Sequence, residues 1–319
     1  MPTSRHGASA GLVLALASAL TFGTSGAFAR GLLEAGWSPA AAVTWRAGVA
    51  TLLLAVPACL AMRGRWHLLR SGWRTIALFG VVAVATTQLA YFQAVQHVSV
   101  GVALLLEYLG VVLVVGWLWL RHGQRPRPLS VAGGALALVG LVGVLDVVGG
   151  AQVSLPGVLW GLVAAVGLAT YFVVSADDRS GIPPVALAAA GMLTGAVTLG
   201  LAGAVGVVDM QMTTADVTLA GRAVPWWALI LGLGMISTAF AYSLGIGAAR
   251  ALGSKVASFV GLTEVLFAVL IAWLLLGQLP TPVQLVGGAL ILAGVVAVKL
   301  DERSPAAETA VEPVIEPAT

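Results

Sequence analysis

Three ionisable residues, Arg46, Glu107 and Glu264, stand inside long apolar runs. A charge at the middle of a bilayer costs at least ~2.5–3.5 kcal/mol, so a side chain kept there is a functional suspect by default. Glu107 lies about nine residues into its run and Glu264 about twelve into its own, ~14 and ~18 Å at 1.5 Å per residue, near mid-membrane from opposite directions. A carboxyl desolvated at that depth can exchange a proton, as a proton-coupled carrier needs. It can equally stay protonated as a hydrogen-bonded strut between helices, and residue type and depth leave both roles open. Arg46 enters its run about seven residues in, roughly 10 Å deep. Its stem can snorkel to the interface, or its head can pair with a carboxylate of the protein or of a substrate.

Uncharged polar residues join these. Thr87 with Tyr91, and Thr238 with Tyr242, are i, i+4 pairs that share a helix face. Gln88 lies one turn before Tyr91, and Thr24 and Tyr171 are weaker members of the same set. Such stripes face a neighbouring helix or a wet cavity, and helix–helix hydrogen bonding competes with substrate binding as their role.

Other chemistries find no support. There is no G-x-x-x-x-G-K-[ST] phosphate loop and no G-x-S-x-G nucleophile elbow. His6, His67, His97 and His122 fall between the apolar runs with neither H-E-x-x-H nor a cysteine at zinc spacing. The reading is therefore not an enzyme, with no cofactor and no metal.

The elements that must position these residues are membrane helices. Hydrophobic residues make up 59% of the chain and charged ones 9%, against roughly 45–50% and 25% in soluble domains. Runs of about 20 apolar residues suit spanning helices, and they predict spans near 10–29, 39–62, 75–95, 98–120, 129–148, 155–175, 183–206, 226–248, 252–276 and 282–299. The fold class expected is an all-α polytopic membrane protein of ten transmembrane helices. Alternation over ten spans puts thirteen basic residues on one side, from Arg5, Arg63 and Arg65 through Arg125 and Arg127 to Lys255 and Arg303, and only Arg30 and Arg222 on the other. By the positive-inside rule the rich side is cytoplasmic, with both termini inside. The sequence pI of 9.4 thus reflects sorting by side and not a nucleic-acid partner.

The stretch GQRPRPLSVAGGALALVG at 123–140 returns at 277–294 as GQLPTPVQLVGGALILAG, with ten of eighteen positions the same. Five spans separate the copies, so the second is upside down, and the loop that loses Arg125 and Arg127 becomes external. TTQLAY at 86–91 similarly faces STAFAY at 237–242. Two inverted five-helix repeats, 10–150 and 151–299, follow, flanked by a cytoplasmic segment 1–9 and a disordered acidic tail 300–319. In repeat register Glu264 matches Gly110, one turn from Glu107, so the two carboxylates are near-symmetric about the pseudo-two-fold axis. Ala27-Phe28-Ala29 after an apolar run could pass for a signal-peptide end, but the likeness of 11–25 to 157–171 favours a retained first helix. Lone Cys59 is expected to be buried as a small hydrophobe. Trp37, Trp66, Trp73, Trp226 and Trp227 are expected to act as interfacial belts.

The stretches YFQAVQHVSVGVALLLEYLGVV (91–112) and 237–294 resemble the drug/metabolite transporter superfamily in its EamA branch with two EamA repeats, and look most like the threonine/homoserine exporter group. The resemblance covers about residues 10–299. It implies a secondary transporter in the bacterial-type plasma membrane, exporting amino acids or related small metabolites by alternating access, with proton coupling as an option. A small-molecule substrate and the lipid bilayer are the implied partners, and a homodimer is compatible with it. The family's Glu-aromatic pair falls on Glu107-Tyr108 and its Glu-Pro on Glu264-Val265. Val265 replaces the usual Pro, and Gly110-Val111 replaces a Gly-Pro, which removes a helix-distorting element near each carboxylate. The site expected is therefore Glu107 and Glu264 with Tyr108, Arg46 and the polar stripes. A multidrug or other-metabolite carrier of the same fold, a channel, and a non-transporting scaffold or sensor are the alternatives.

Overall fold

Serine and proline stand where several helices begin. Ser38 accepts a hydrogen bond from the Ala41 amide ahead of a helix opening at Pro39, and Ser154 accepts one from Gly157 ahead of a helix containing Pro156. The caps satisfy orphan amides of the first turn, and proline falls where its missing N–H is harmless. The computed structural model describes residues 5–98, 100–144, 154–219, 221–276 and 279–303.

The helices are α1 (Arg5–Gly23), α2 (Ser25–Glu34), α3 (Pro39–Ala61), α4 (His67–Ser71), α5 (Trp73–Leu78), α6 (Thr87–His97), α7 (Val100–Tyr108), α8 (Gly110–His122), α9 (Pro128–Val144), α10 (Leu155–Ala176), α11 (Pro184–Ala204), α12 (Trp226–Gly234), α13 (Ala241–Gly261), α14 (Thr263–Leu276) and α15 (Pro282–Arg303). One small antiparallel hairpin, β1 (Val217–Leu219) with β2 (Arg222–Val224), pairs Thr218 with Ala223 in the loop before α12.

Among the described residues eight helical runs are long and apolar enough to cross a membrane: Ser9–Glu34, Pro39–Ala61, Trp73–His97, Val102–His122, Leu155–Ala176, Pro184–Ala204, Trp226–Gly261 and Pro282–Asp301. The chain is thus a multi-pass, mostly helical membrane protein. Pro128–Val144, inside the predicted span 129–148, is a shorter apolar helix, and 145–150 lie outside the described residues. The predicted spans 226–248 and 252–276 have no loop between them. A single backbone break at Gly253 (φ +78°, ψ +160°) interrupts α13 instead, a conformation that costs glycine little. The greater part of the predicted tail, 304–319, and segment 1–4 also lie outside the described residues.

Helices pack as α9 on α15, α1 on α13, α3 on α11 and α6 on α10. The α9–α15 contact explains what the repeated stretch preserves. A Cβ on Gly133 would stand 2.8 Å from the Gly294 carbonyl oxygen, and one on Gly140 would stand 2.5 Å from that of Gly287. Any side chain there would push the backbones apart, and in lipid such close van der Waals packing is what holds helices together.

Two features interrupt the α-helical ladder beside the polar residues. Phe79–Thr86 between α5 and α6, and Met235–Phe240 between α12 and α13, are π-helical, a rare form concentrated at functional sites. A threonine hydroxyl closes each widened turn five residues back: Thr87 donates to the Val82 carbonyl and Thr238 to the Leu233 carbonyl, both at 2.7 Å. The other feature lies beside each carboxylate, where this sequence lacks the proline that would distort the helix. At Leu109 and Leu262 the chain tightens into i→i−3 bonds, Leu109 N to Leu106 O at 3.2 Å and Leu262 N to Phe259 O at 3.1 Å. No proline takes part; next to these turns Gly110 lies against the Ala165 carbonyl and Gly261 against the Phe172 ring, close approaches that a side chain would disturb.

Two expectations are corrected. Cys59 is exposed on the outside of the bundle, beside the equally exposed Val56 and Leu60, so its neighbours are solvent or lipid and not core. Trp37 is buried, not interfacial: its indole N–H donates to the Thr213 carbonyl at 3.0 Å and its ring lies 5.8 Å from that of Trp226.

One end of the bundle gathers the basic loops. There Lys255 Nζ lies 3.8 Å from Asp301 Oδ2, the Ser130 hydroxyl donates to the same carboxylate, and Arg127 donates to the Asp301 carbonyl at 3.5 Å. The start of α9, the region of α13 just past its Gly253 break and the end of α15 are thereby tied together.

Candidate functional site

A cavity with about 1160 Å³ of empty space, part of it continuous with solvent, lies where the helix interruptions meet. Of the eleven residues singled out from sequence, nine line it: Arg46, Thr87, Gln88, Tyr91, Glu107, Tyr108, Tyr171, Tyr242 and Glu264. Glu107 sits two residues before the tightened turn at Leu109, and Glu264 two residues after the one at Leu262. Both carboxylates are half-buried and reach the same space. The Tyr108 hydroxyl donates to the Gly261 carbonyl at 3.3 Å and lies beside the Glu264 carboxylate, which joins the two interruptions directly.

Arg46 neither snorkels nor pairs with a protein carboxylate. It is 1% exposed, and its guanidinium is held by neutral oxygens: Nε donates to Thr238 Oγ1 at 2.9 Å, Nη1 to Gln88 Oε1 at 3.0 Å and Ser25 Oγ at 3.3 Å, and Nη2 to the Ser237 carbonyl at 3.1 Å. The ion pairs among the described residues lie elsewhere. The inward course has a local cause, since the π-helical stretch presents Ser237 and Thr238 to α3 and supplies two acceptors at once. Four good hydrogen bonds outweigh the stretch to the interface that snorkelling requires.

Thr238 and Thr24 stand behind the wall. Thr238 holds Arg46, and Thr24 shares a 2.7 Å hydroxyl–hydroxyl hydrogen bond with Ser237. Gln88 connects the wall's two halves, accepting from Arg46 through Oε1 and donating through Nε2 to the Tyr242 hydroxyl at 3.0 Å. Tyr171 packs edge-on to Tyr242 with centroids 5.3 Å apart, and Phe22 packs on Tyr242 at 5.0 Å, giving an aromatic face to one side. The buried Tyr171 hydroxyl has no hydrogen-bond partner among the described residues.

Sequence reasoning passed over Ser18, Phe22, Ser25, Phe172 and Ser237. The first three had a readable signal, since spacings of i, i+4 and i+7 put them on one helix face. Ser237 and Phe172 had none, because a π turn and a cross-helix neighbour decide their places.

Toward the basic-loop end the cavity is floored by a packed apolar cluster that includes Ala15, Val111, Ala248, Val256, Phe259 and Val260. Inner helix α8 packs on α13 there, whereas α7 and α14, nearer the other end, hardly touch.

A polytopic helical bundle around a largely apolar cavity that carries a few polar side chains, interrupted helices and half-buried carboxylates has the build of a membrane transporter. The sequence agrees: it matches the EamA-like transporter family twice, over residues 9–146 and 155–300, and the chain belongs to that family. It is 30% identical over 244 residues to an uncharacterized transporter of Archaeoglobus fulgidus, covering 76% of this chain and 80% of that protein. A solved crystal structure, described simply as that of a protein, shares the fold at a TM-score of 0.71 and 21% identity, over 92% of this chain and 98% of the other. The chain is therefore a membrane transporter and not a catalyst.

Proposed function

We propose that this transporter exports amino acids or related small metabolites across the plasma membrane by alternating access, coupled to protons, with Glu107 and Glu264 as the groups that bind substrate or proton. The observation that carries this reading is that both carboxylates reach one cavity from two matching helix interruptions. A midplane site built from interrupted helices is how carriers with inverted repeats bind small solutes. Gln88, Tyr91, Tyr108, Tyr171 and Tyr242 supply the polar and aromatic lining, and Thr24, Thr87 and Thr238 hold it in place.

The transport model uses ten crossing helices in two inverted halves, 10–150 and 151–299, with the basic end in the cytoplasm. Three pairings support it. The Gly133–Gly294 and Gly140–Gly287 contacts exchange with each other when 154 is added to the first-half numbers. The i→i−3 bonds at Leu109 and Leu262 correspond at an offset of 153, and the threonine bonds of Thr87 and Thr238 at 151. In that frame the packed floor is the closed cytoplasmic gate, and rocking of the halves would open it.

Efflux of a labelled amino-acid panel from proteoliposomes, with and without a pH gradient, tests the reading. Saturable, gradient-sensitive efflux that is lost in Glu107→Gln upholds it. Gradient-independent flux in every case would remove the proton coupling. The aromatic face of Phe22, Tyr171 and Tyr242 favours one second reading, a carrier of bulkier drugs or metabolites, which efflux of aromatic cations in place of amino acids would single out.

A further inference from the structure

Arg46 is a permanent cation that the protein orients and does not neutralise. A guanidinium has five N–H donors and stays charged in any protein setting. Four donors are taken by Thr238, Gln88, Ser25 and the Ser237 carbonyl, all uncharged acceptors, and the second N–H of Nη2 has no acceptor among the described residues. A fully buried arginine is ordinarily paired with an acid. Here the acids of the cavity, Glu107 and Glu264, form no ion pair with it.

The Nη edge is also its most weakly held part. The Ser25 bond, at 3.3 Å, is the longest of the four, and Ser25 and Gln88 themselves line the cavity. A hydroxyl and an amide can rotate away, and a carboxylate facing a guanidinium forms bonds roughly twice as strong as neutral acceptors do, often two in parallel.

We infer that Arg46 receives the anionic group of the substrate, so that the transported molecule carries a carboxylate at the Nη edge of Arg46 and directs its amine toward Glu107 and Glu264. The inference deepens the transport reading above and rests on it. It makes the cavity dipolar, with a positive edge at α3 and a negative edge at the two helix interruptions. A zwitterion enters without leaving a net charge in the membrane.

The test uses full-length protein in liposomes. Probes are L-amino acids, their carboxamides, which keep the amine and side chain but lose the anion, and the corresponding decarboxylated amines. Wild-type protein is expected to transport at least one amino acid with kcat/KM about tenfold or more above that of its carboxamide. In Arg46→Gln the preference for the amino acid over its carboxamide is expected to fall from about tenfold to near one, whatever the overall level of flux. Arg46→Lys is expected to keep part of the preference.

Equal wild-type transport of acid and carboxamide overturns the inference, and this comparison needs no variant to fold. A folded Arg46→Gln protein that loses both probes in proportion also overturns it, by making Arg46 a helix clamp only. Flux of amines alone removes the carboxylate subsite and leaves the proton-coupled carrier standing. No flux of any probe removes the amino-acid assignment, and this inference falls with it.

Discussion

Arg46 Nε and Thr238 Oγ1 stand 2.9 Å apart, and the same threonine hydroxyl gives its proton to the Leu233 carbonyl at 2.7 Å. A hydroxyl has one proton to donate, so spending it on Leu233 fixes the oxygen as an acceptor aimed at the guanidinium. The π turn and the arginine therefore hold each other in place.

Thr238→Val should test that coupling. It strips the acceptor from a buried charged donor and leaves the shape nearly unchanged, so a loss of about 1–3 kcal/mol is expected. Thermal unfolding in detergent should show a lower midpoint for Thr238→Val and a near-normal one for Thr238→Ser.

Glu107→Gln and Glu264→Gln keep side-chain volume and remove the exchangeable proton. Each is expected to leave the protein folded in the membrane and to abolish flux or its dependence on the pH gradient. Proteoliposome flux at several internal pH values reads this out, and full, gradient-dependent activity in both variants would defeat the carboxylate assignment.

Gly140 and Gly287 meet backbone to backbone. Gly140→Val should force α9 from α15 at a cost of about 1–3 kcal/mol or more, the range of overpacked cores. Gly143→Ala is the milder control, because its nearest neighbour would stand 3.3 Å from the added carbon. Yield of monodisperse protein and its melting temperature should rank wild type, Gly143→Ala, then Gly140→Val.

Asp301 is buried and shared by Ser130 and Lys255. Asp301→Ala leaves a largely buried ammonium without this carboxylate, and breaking such pairs by removing one partner costs up to about 3–5 kcal/mol. Because these residues tie the start of α9 and the end of α15 to α13 just past its Gly253 break, the variant should also raise labelling of a cysteine placed at Ala257 by a thiol reagent applied from that side.

Asp177 lies in the loop after α10, where the hydrogen-bonded Arg179 guanidinium holds its carboxyl below the ordinary range. A depressed carboxyl stabilises the fold above its unfolded pKa, and the contribution disappears as pH falls through the lowered folded value. The melting-temperature advantage of wild type over Arg179→Ala should therefore be small and steady near neutral pH and vanish in acid.

The apolar runs, the polar stripes and the internal repeat were legible in the chain because lipid allows few backbone solutions, and hydropathy reports them almost directly. Glu107, Glu264 and Tyr242 were legible for the same reason: polarity in an apolar run has to be justified by what it meets. The course of Arg46 was not legible, since snorkelling and burial differ only in whether acceptors wait on a neighbouring helix. Those acceptors, Ser25, Gln88, Ser237 and Thr238, come from three segments that meet only in the folded bundle. The helix interruptions at Leu109 and Leu262 were equally hidden, because an i→i−3 bond without proline leaves no residue-type signal in the chain. Sequence alone thus determined that the chain is built of long apolar helices and which residues would be costly among them. Tertiary structure decided what each costly residue faces, because hydrogen-bond partners at that depth are supplied by other helices and not by neighbours in the chain.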